Sequence, residues 1–167
     1  MKKARILMAV LLSLLFVFFA VASGEDTEST ADQGSDSAKT TVAGDTEIGD
    51  YSVEILESRL AKDYEGKDVV IIKYKFTNVA DDEPASFMFA FDDAAFQDGV
   101  GLNECIFVDD SANYSSDNQT KEIKKGASIE VEVAYELNDT TTDVEVEVQE
   151  LFSFEERTIK KTFKIAE

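Results

Sequence analysis

Lys67–Asn78, KDVVIIKYKFTN, is the densest run of β-forming residues in the chain. Side chains alternate across an extended strand, so Val70, Ile72, Tyr74 and Phe76 share one face. Val69, Ile71, Lys73, Lys75 and Thr77 share the other. The first face is apolar throughout, while the second passes from apolar to basic along its length. A strand apolar on both faces at one end and half-wet at the other fits the centre of a β-sandwich, with the remaining strands covering it.

Upstream, Tyr51, Val53 and Ile55 alternate with Ser52 and Glu54 as a first strand, and Glu65-Gly66 supplies the turn between the two. Downstream, the only proline, Pro84, marks a turn. Beyond it Phe87, Phe89 and Phe91 are expected on one face of a short third strand, with a single helical turn the alternative over Asp92–Phe96. Phe96-Gln97-Asp98-Gly99-Val100 carries an Asp-Gly hairpin signal, followed by a strand over Leu102–Val108 and a polar loop over Asp109–Thr120. Two long strands come next. Ile129, Val131, Val133, Tyr135 and Leu137 alternate with polar or small residues, and after the loop Asn138–Thr142 so do Val144, Val146 and Val148. Leu151–Phe154 is read as extending that strand, and Ile159, Phe163 and Ile165 define the last. Seven to eight short antiparallel strands in this span predict an all-β, immunoglobulin-like β-sandwich. With no tryptophan and no cysteine pair, it is not an antibody-type domain.

The chain divides into three. Met1–Ala22 reads as a signal peptide: Lys2, Lys3 and Arg5 precede an apolar run, and Ala20-Val21-Ala22 offers small residues at a cleavage site. Cleavage after Ala22 is expected, with Ser23 the neighbouring choice; an uncleaved membrane anchor is the competing reading. Residues 23–46 are rich in Ser, Thr, Asp, Glu and Gly and predict a disordered acidic linker. Residues 47–167 form the folded domain.

Charge and composition then exclude whole classes of function. There are 16 basic and 35 acidic residues, a net of −19, which becomes −22 without the three bases of the leader. Such a chain repels nucleic acid and anionic membranes, so contact with a membrane is expected only if the leader is retained. The absence of histidine removes Ser-His-Asp and Cys-His pairs and His-ligated metals. Cys105 is the sole cysteine, so no intrachain disulfide can form, and its apolar strand setting predicts a buried, inert thiol.

Two acidic groups are candidate sites. If the two long strands form a hairpin, Glu130, Glu132, Glu136, Glu145 and Glu147 share one outer face. That array could attract Ca²⁺, though lysines from neighbouring strands (Lys73, Lys75, Lys160, Lys164) are placed to neutralise it. Counted from Asp109, the acidic loop Asp109–Asp117 and the residues after it put Tyr114 and Thr120 where an EF-hand needs Gly and Glu, so it reads as a solvated loop. Asp92-Asp93 reads as a strand-end turn. No catalytic, cofactor-binding or metal-ligating residue is assigned, and no cofactor is expected.

Several segments carry a family resemblance. Asp63-Tyr64-Glu65-Gly66-Lys67 leading into Val70–Asn78, Phe96–Val100 before an apolar strand, Lys121–Gly126 before Val131–Leu137, and Glu150–Phe154 together resemble domain-of-unknown-function family 5067. The resemblance spans roughly Tyr51 to Ile165 and implies an exported, immunoglobulin-like domain from Gram-positive bacteria, similar to immunoprotective extracellular antigens. It supplies no catalytic residue. Members often carry a lipobox cysteine after the signal, and none stands there in this chain. The expectation is therefore a secreted or extracytoplasmic, non-catalytic binding or cell-envelope interaction module, whose partner is a protein or envelope component. The alternative is a Ca²⁺-binding structural protein.

Overall fold

A computed structural model describes residues 40–41, 46–153 and 157–166. Its strands are β1 (Thr40–Thr41), β2 (Glu47–Ile48), β3 (Tyr51–Lys62), β4 (Asp68–Asn78), β5 (Phe91–Gln97), β6 (Val100–Gly101), β7 (Ser128–Glu136), β8 (Val144–Glu150) and β9 (Arg157–Phe163). One short helical turn, α1 (Phe87–Ala90), precedes β5. Two sheets form, in the orders β2-β3-β4-β7 and β1-β9-β8-β5-β6. All ladders are antiparallel except β1 with β9, which is parallel. The signal-peptide reading and most of the linker reading lie outside the described residues; β1 falls within the stretch read as linker.

The central strand is where its pattern places it. β4 lies between β3 and β7, and Val70, Ile72, Tyr74 and Phe76 are fully buried in the space between the sheets. Opposite them the second sheet contributes Phe91, Ala95, Val144, Val146, Val148 and Ile159. At the Asn78 end four rings close the core: Phe76 meets Phe91 edge-on at 5.8 Å, Tyr51 lies 5.8 Å from Phe76, and Phe87 lies 5.7 Å from Phe91. Such offset and edge contacts add to the burial of the rings themselves.

The outer face of β4 has its own cover. Val69 and Ile71 pack with Cys105, Val108 and Ala134 into a second, smaller cluster beneath the 102–127 crossover that joins the two sheets. The crossover also caps the open edge of β7. Asn118 and Gln119 side-chain amides donate to the Glu130 and Glu132 carbonyls at 2.9 and 2.7 Å. Cys105 N–H takes the Ala134 carbonyl at 2.7 Å, and Glu136 N–H donates to the Asn103 carbonyl at 2.8 Å. A sheet edge otherwise offered to other chains is thereby occupied.

Five local expectations are corrected. Phe87–Ala90 is a helical turn, not a strand, so Phe87 points in while Phe89 stands 72% exposed. Asp92–Phe96, where the sequence left a single helical turn open, lies in strand β5. Leu102–Val108 makes only isolated bridges, at Glu104 and Val108, because it crosses between sheets. The residues after Glu150 turn away at Leu151–Phe152, so β8 is not extended. Finally, β7 and β8 are not a hairpin: the chain passes from one sheet to the other between them.

That last passage is fixed by side chains. The buried Gln97 amide donates to the Asp139 and Thr142 carbonyls at 2.9 and 2.8 Å and accepts from Asn138 N–H at 2.8 Å. Asp139 accepts from the backbone N–H groups of Thr142 and Thr141 and from both hydroxyls, which holds its carboxyl down at about 2.

Candidate functional site

The tip of the β3–β4 hairpin is built by Asp63. Its carboxylate accepts the N–H groups of Glu65 and Lys67 at 2.8 and 2.9 Å, and Gly66 takes the left-handed conformation (φ +82°) that closes the turn. The same tip is strapped to the crossover: Tyr64 N–H donates to the Phe107 carbonyl at 3.3 Å, and Asp109 N–H to the Lys62 carbonyl at 2.9 Å. Asp109 in turn caps a 3₁₀ turn over Asp110–Ala112 by accepting from Ser111 N–H, and the Ser111 side chain first, then this backbone bond, lower its pKa.

These straps hold three large apolar side chains in water. Tyr64, Ile106 and Phe107 are 60%, 66% and 71% exposed. Tyr64 is pinned by its hydroxyl, which donates to Asp110 at 2.7 Å, and that bond to a carboxylate raises its pKa. The three side chains form a ridge, since they wall two troughs. One, of about 460 Å³, carries Asp63, Glu65, Lys67, Glu104 and Glu136; the other, of about 330 Å³, carries Asp110 and Asp117. Cys105 lies at the floor of the first, buried, and burial raises its pKa, so no thiolate is presented there.

The acidic array read from the sequence is divided between the two sheets. Glu130, Glu132 and Glu136 lie on β7, Glu145 and Glu147 on β8. Each group meets cations of its own sheet. Arg59 grips Glu132 with both guanidinium nitrogens at 2.6 and 2.8 Å, and Lys73 lies 2.7 Å from Glu57 and 3.9 Å from Glu130. Lys160 bridges to Glu147 and, at 3.4 Å, to Glu145. Among the described residues no three Asp, Glu or Cys side chains are grouped so as to hold a metal ion. Arg59 is the partner the sequence reading missed; β3 brings it opposite β7 across β4, a neighbour relation only the sheet order reveals.

Asp93 was missed for a different reason. It does not sit in a turn: β5 alternation places it with Phe91, Ala95 and Gln97, facing the space between the sheets. The Tyr135 hydroxyl donates to it, and the fully buried Tyr74 ring lies beside the pair. Desolvation raises the Asp93 carboxyl to about 6, against the lowering effect of the tyrosine hydrogen bond. Tyr135 is raised well above its ordinary range, first by burial and then by the Asp93 charge. Across the sandwich Lys161 donates to the Ile55 and Leu56 carbonyls at 2.9 and 2.6 Å, at the bulge in β3. Both charged groups tie the two sheets together, and neither opens onto either trough.

Fold and site together define a two-sheet, immunoglobulin-like sandwich bearing an exposed apolar ridge between acidic troughs. The sequence pattern of the domain of unknown function DUF5067 matches residues 26–150, and the chain belongs to that family. The match starts earlier and stops earlier than the resemblance read from the strands. No curated protein matches the sequence significantly. Among solved structures, the chain is similar to a candidate lipoprotein from Staphylococcus aureus, at 19% identity and a TM-score of 0.57, over 75% of this chain and 91% of that one. It is similar also to a protein from Enterococcus faecalis, at 18% identity and TM-score 0.54, over 75% and 93% of the respective chains. The ycdA candidate lipoprotein of Bacillus subtilis aligns at 14% identity and TM-score 0.54, over 74% of this chain but 39% of its own length. At these identities the likeness concerns the fold.

Proposed function

We propose that the chain is an exported, non-catalytic binding module of the bacterial cell envelope. One observation carries the reading: Tyr64, Ile106 and Phe107 are held out in water by hydrogen bonds that fix the backbone beneath them. Exposed apolar side chains on a rigid base, rimmed by charge, are the make-up of a contact surface. The chemistry around them supports binding over catalysis. No histidine exists in the chain, its one thiol is buried, and the carboxylate whose pKa is most raised, Asp93, faces the core. Export is supported by the basic-apolar leader over Met1–Ala22 and its A-x-A site. Residues 23–46 then serve as the tether, residues 47–167 as the module, and the site of action is secreted or extracytoplasmic. The candidate lipoproteins of similar fold are in keeping with that location.

The test is a photo-crosslinking amino acid placed at position 107 and, as control, at position 100 in the native host, because Val100 is also exposed but lies on a different hairpin. Discrete adducts from 107 and none from 100 are expected. Equal labelling from both positions, or none from 107, would remove the reading. Intact mass of the same material should give an N-terminus at Ser23 or Gly24; retention of Met1–Ala22 would convert the secreted module into an anchored one.

A further inference from the structure

We infer that the ridge and its troughs seat a cationic, apolar-bearing polypeptide segment of a partner protein, with Lys or Arg side chains in the troughs and an apolar side chain against Phe107. This rests on the binding reading above and names its occupant. The charge lining the two troughs is six carboxylates against one ammonium, Lys67. Lys67 is held 3.0 Å from Glu65, and Asp63 is occupied by the hairpin's own N–H groups. Among the described residues Glu104 and Asp117 make no ion pair, and Glu136 feels only the Lys67 ammonium already paired with Glu65, so negative charge is left over on both sides of the ridge.

Three observations narrow what that charge can meet. The carboxylates are strung along the troughs and do not converge three to a point, so a metal ion is a poor fit and a row of separate cations a good one. The chain's net charge of −19 opposes nucleic acid and anionic lipid. Addition of a partner strand is blocked on this side of the sheet, since the crossover takes the β7 carbonyls of Glu130, Glu132 and Ala134. Recognition must then run through side chains. Tyr64 and Phe107 stand exposed among the trough carboxylates, a setting in which a guanidinium can gain both a charge-assisted hydrogen bond and a cation–π contact. The larger trough lies in the volume range of small-ligand clefts, roughly 300–1,000 Å³.

The experiment pans a short random-peptide phage library against the full chain, and against its Phe107→Ser and Glu104→Gln/Glu136→Gln variants. Enriched peptides should carry Lys or Arg beside Leu, Phe or Trp, bind less tightly as salt rises, and lose about tenfold in affinity on each variant. The substituted side chains are at the surface, and matching melting curves for the three proteins exclude misfolding as the cause. Peptides that need Phe107 but show no cationic bias would overturn the occupant and leave the binding reading standing. No enrichment over the Phe107→Ser protein, with no retention on lipid vesicles either, would overturn both. Retention on phosphatidylglycerol or phosphatidylcholine vesicles with no peptide enrichment would replace the polypeptide with a membrane, and so would also refute the inference.

Discussion

At the end of β4 that finishes in Asn78, the rings of Tyr51, Phe76, Phe87 and Phe91 face one another inside the sandwich. At the end that begins in Asp68, Tyr64, Ile106 and Phe107 face water between acidic troughs. Both ends are rich in aromatic residues, yet only the first uses them to hold the fold. A buried ring removes apolar area from water and fills volume that nothing else fills. A ring that is 71% exposed does little of either. The Asn78 end carries exposed side chains too, at Met88, Phe89 and Phe152. They flank α1 and the turn after β8, whose backbones are joined by the Leu151 N–H to Ala90 carbonyl bond of 3.0 Å.

The largest expected effect is at the buried end. Phe76→Ala should cost about 3–5 kcal/mol in urea denaturation, because the ring is fully buried and touched by two other aromatic rings and Phe87. A loss under about 1 kcal/mol would mean the aromatic group does not close the core.

Next comes Asp93, whose sign is set by linkage. Its folded-state pKa is raised to about 6 from an ordinary 3.8, so the folded protein holds a proton there that the unfolded chain has released. Its contribution therefore falls as pH climbs from about 4 to 6, and the full penalty stands above that. Asp93→Asn should leave stability near wild type at pH 3.5. It should exceed wild type by about 1–3 kcal/mol at pH 7.5, given roughly 1.4 kcal/mol per pKa unit. A difference between variant and wild type that stays flat over that range would show the carboxylate to be solvated.

Gln119→Ala tests the cap on β7. It frees the Glu132 carbonyl and should cost about 1 kcal/mol. It should also make the protein associate as concentration rises, visible by light scattering, because the strand edge is opened. Unchanged stability in a strictly monomeric variant would contradict the edge-capping role. The smallest effect belongs to the ridge: Phe107→Ser should shift stability by less than about 0.5 kcal/mol, as a surface change away from packing does. A loss of 2 kcal/mol or so would make the ridge part of the fold and erase the contrast between the two ends.

Where a strand alternates over many residues, the sequence is readable. β4, β7 and β8 follow their patterns, and Asp98-Gly99 makes the expected turn with both residues at positive φ. The Lys160 pairing with Glu145 and Glu147 was also legible, since it needs only in-sheet neighbours, whereas Lys73 reaches Glu130 only at 3.9 Å, and Lys75 and Lys164 pair with Glu54 and Asp143 instead of the array. The ridge was not. Ile106 and Phe107 are consecutive apolar residues, and a strand cannot expose two neighbours on one face; the reading as a strand hid them. Phe-Met-Phe-Ala is too short for a period of two to be told from one of 3.6, so α1 passed for a strand. The six residues between Leu137 and Val144 can close a hairpin or step between sheets. Gln97, distant in sequence, decides that step by bonding the loop from within.

Retention of the chain by the envelope tests the role of the ridge most directly. Wild-type and Phe107→Ser proteins of matched stability would be incubated with envelopes of the native host, sedimented, and the bound fraction measured. The prediction is saturable binding of the wild type, weakened about tenfold by the substitution and reduced by salt. Equal retention of the two proteins would contradict the claim that the Tyr64–Ile106–Phe107 ridge is the working surface of this domain.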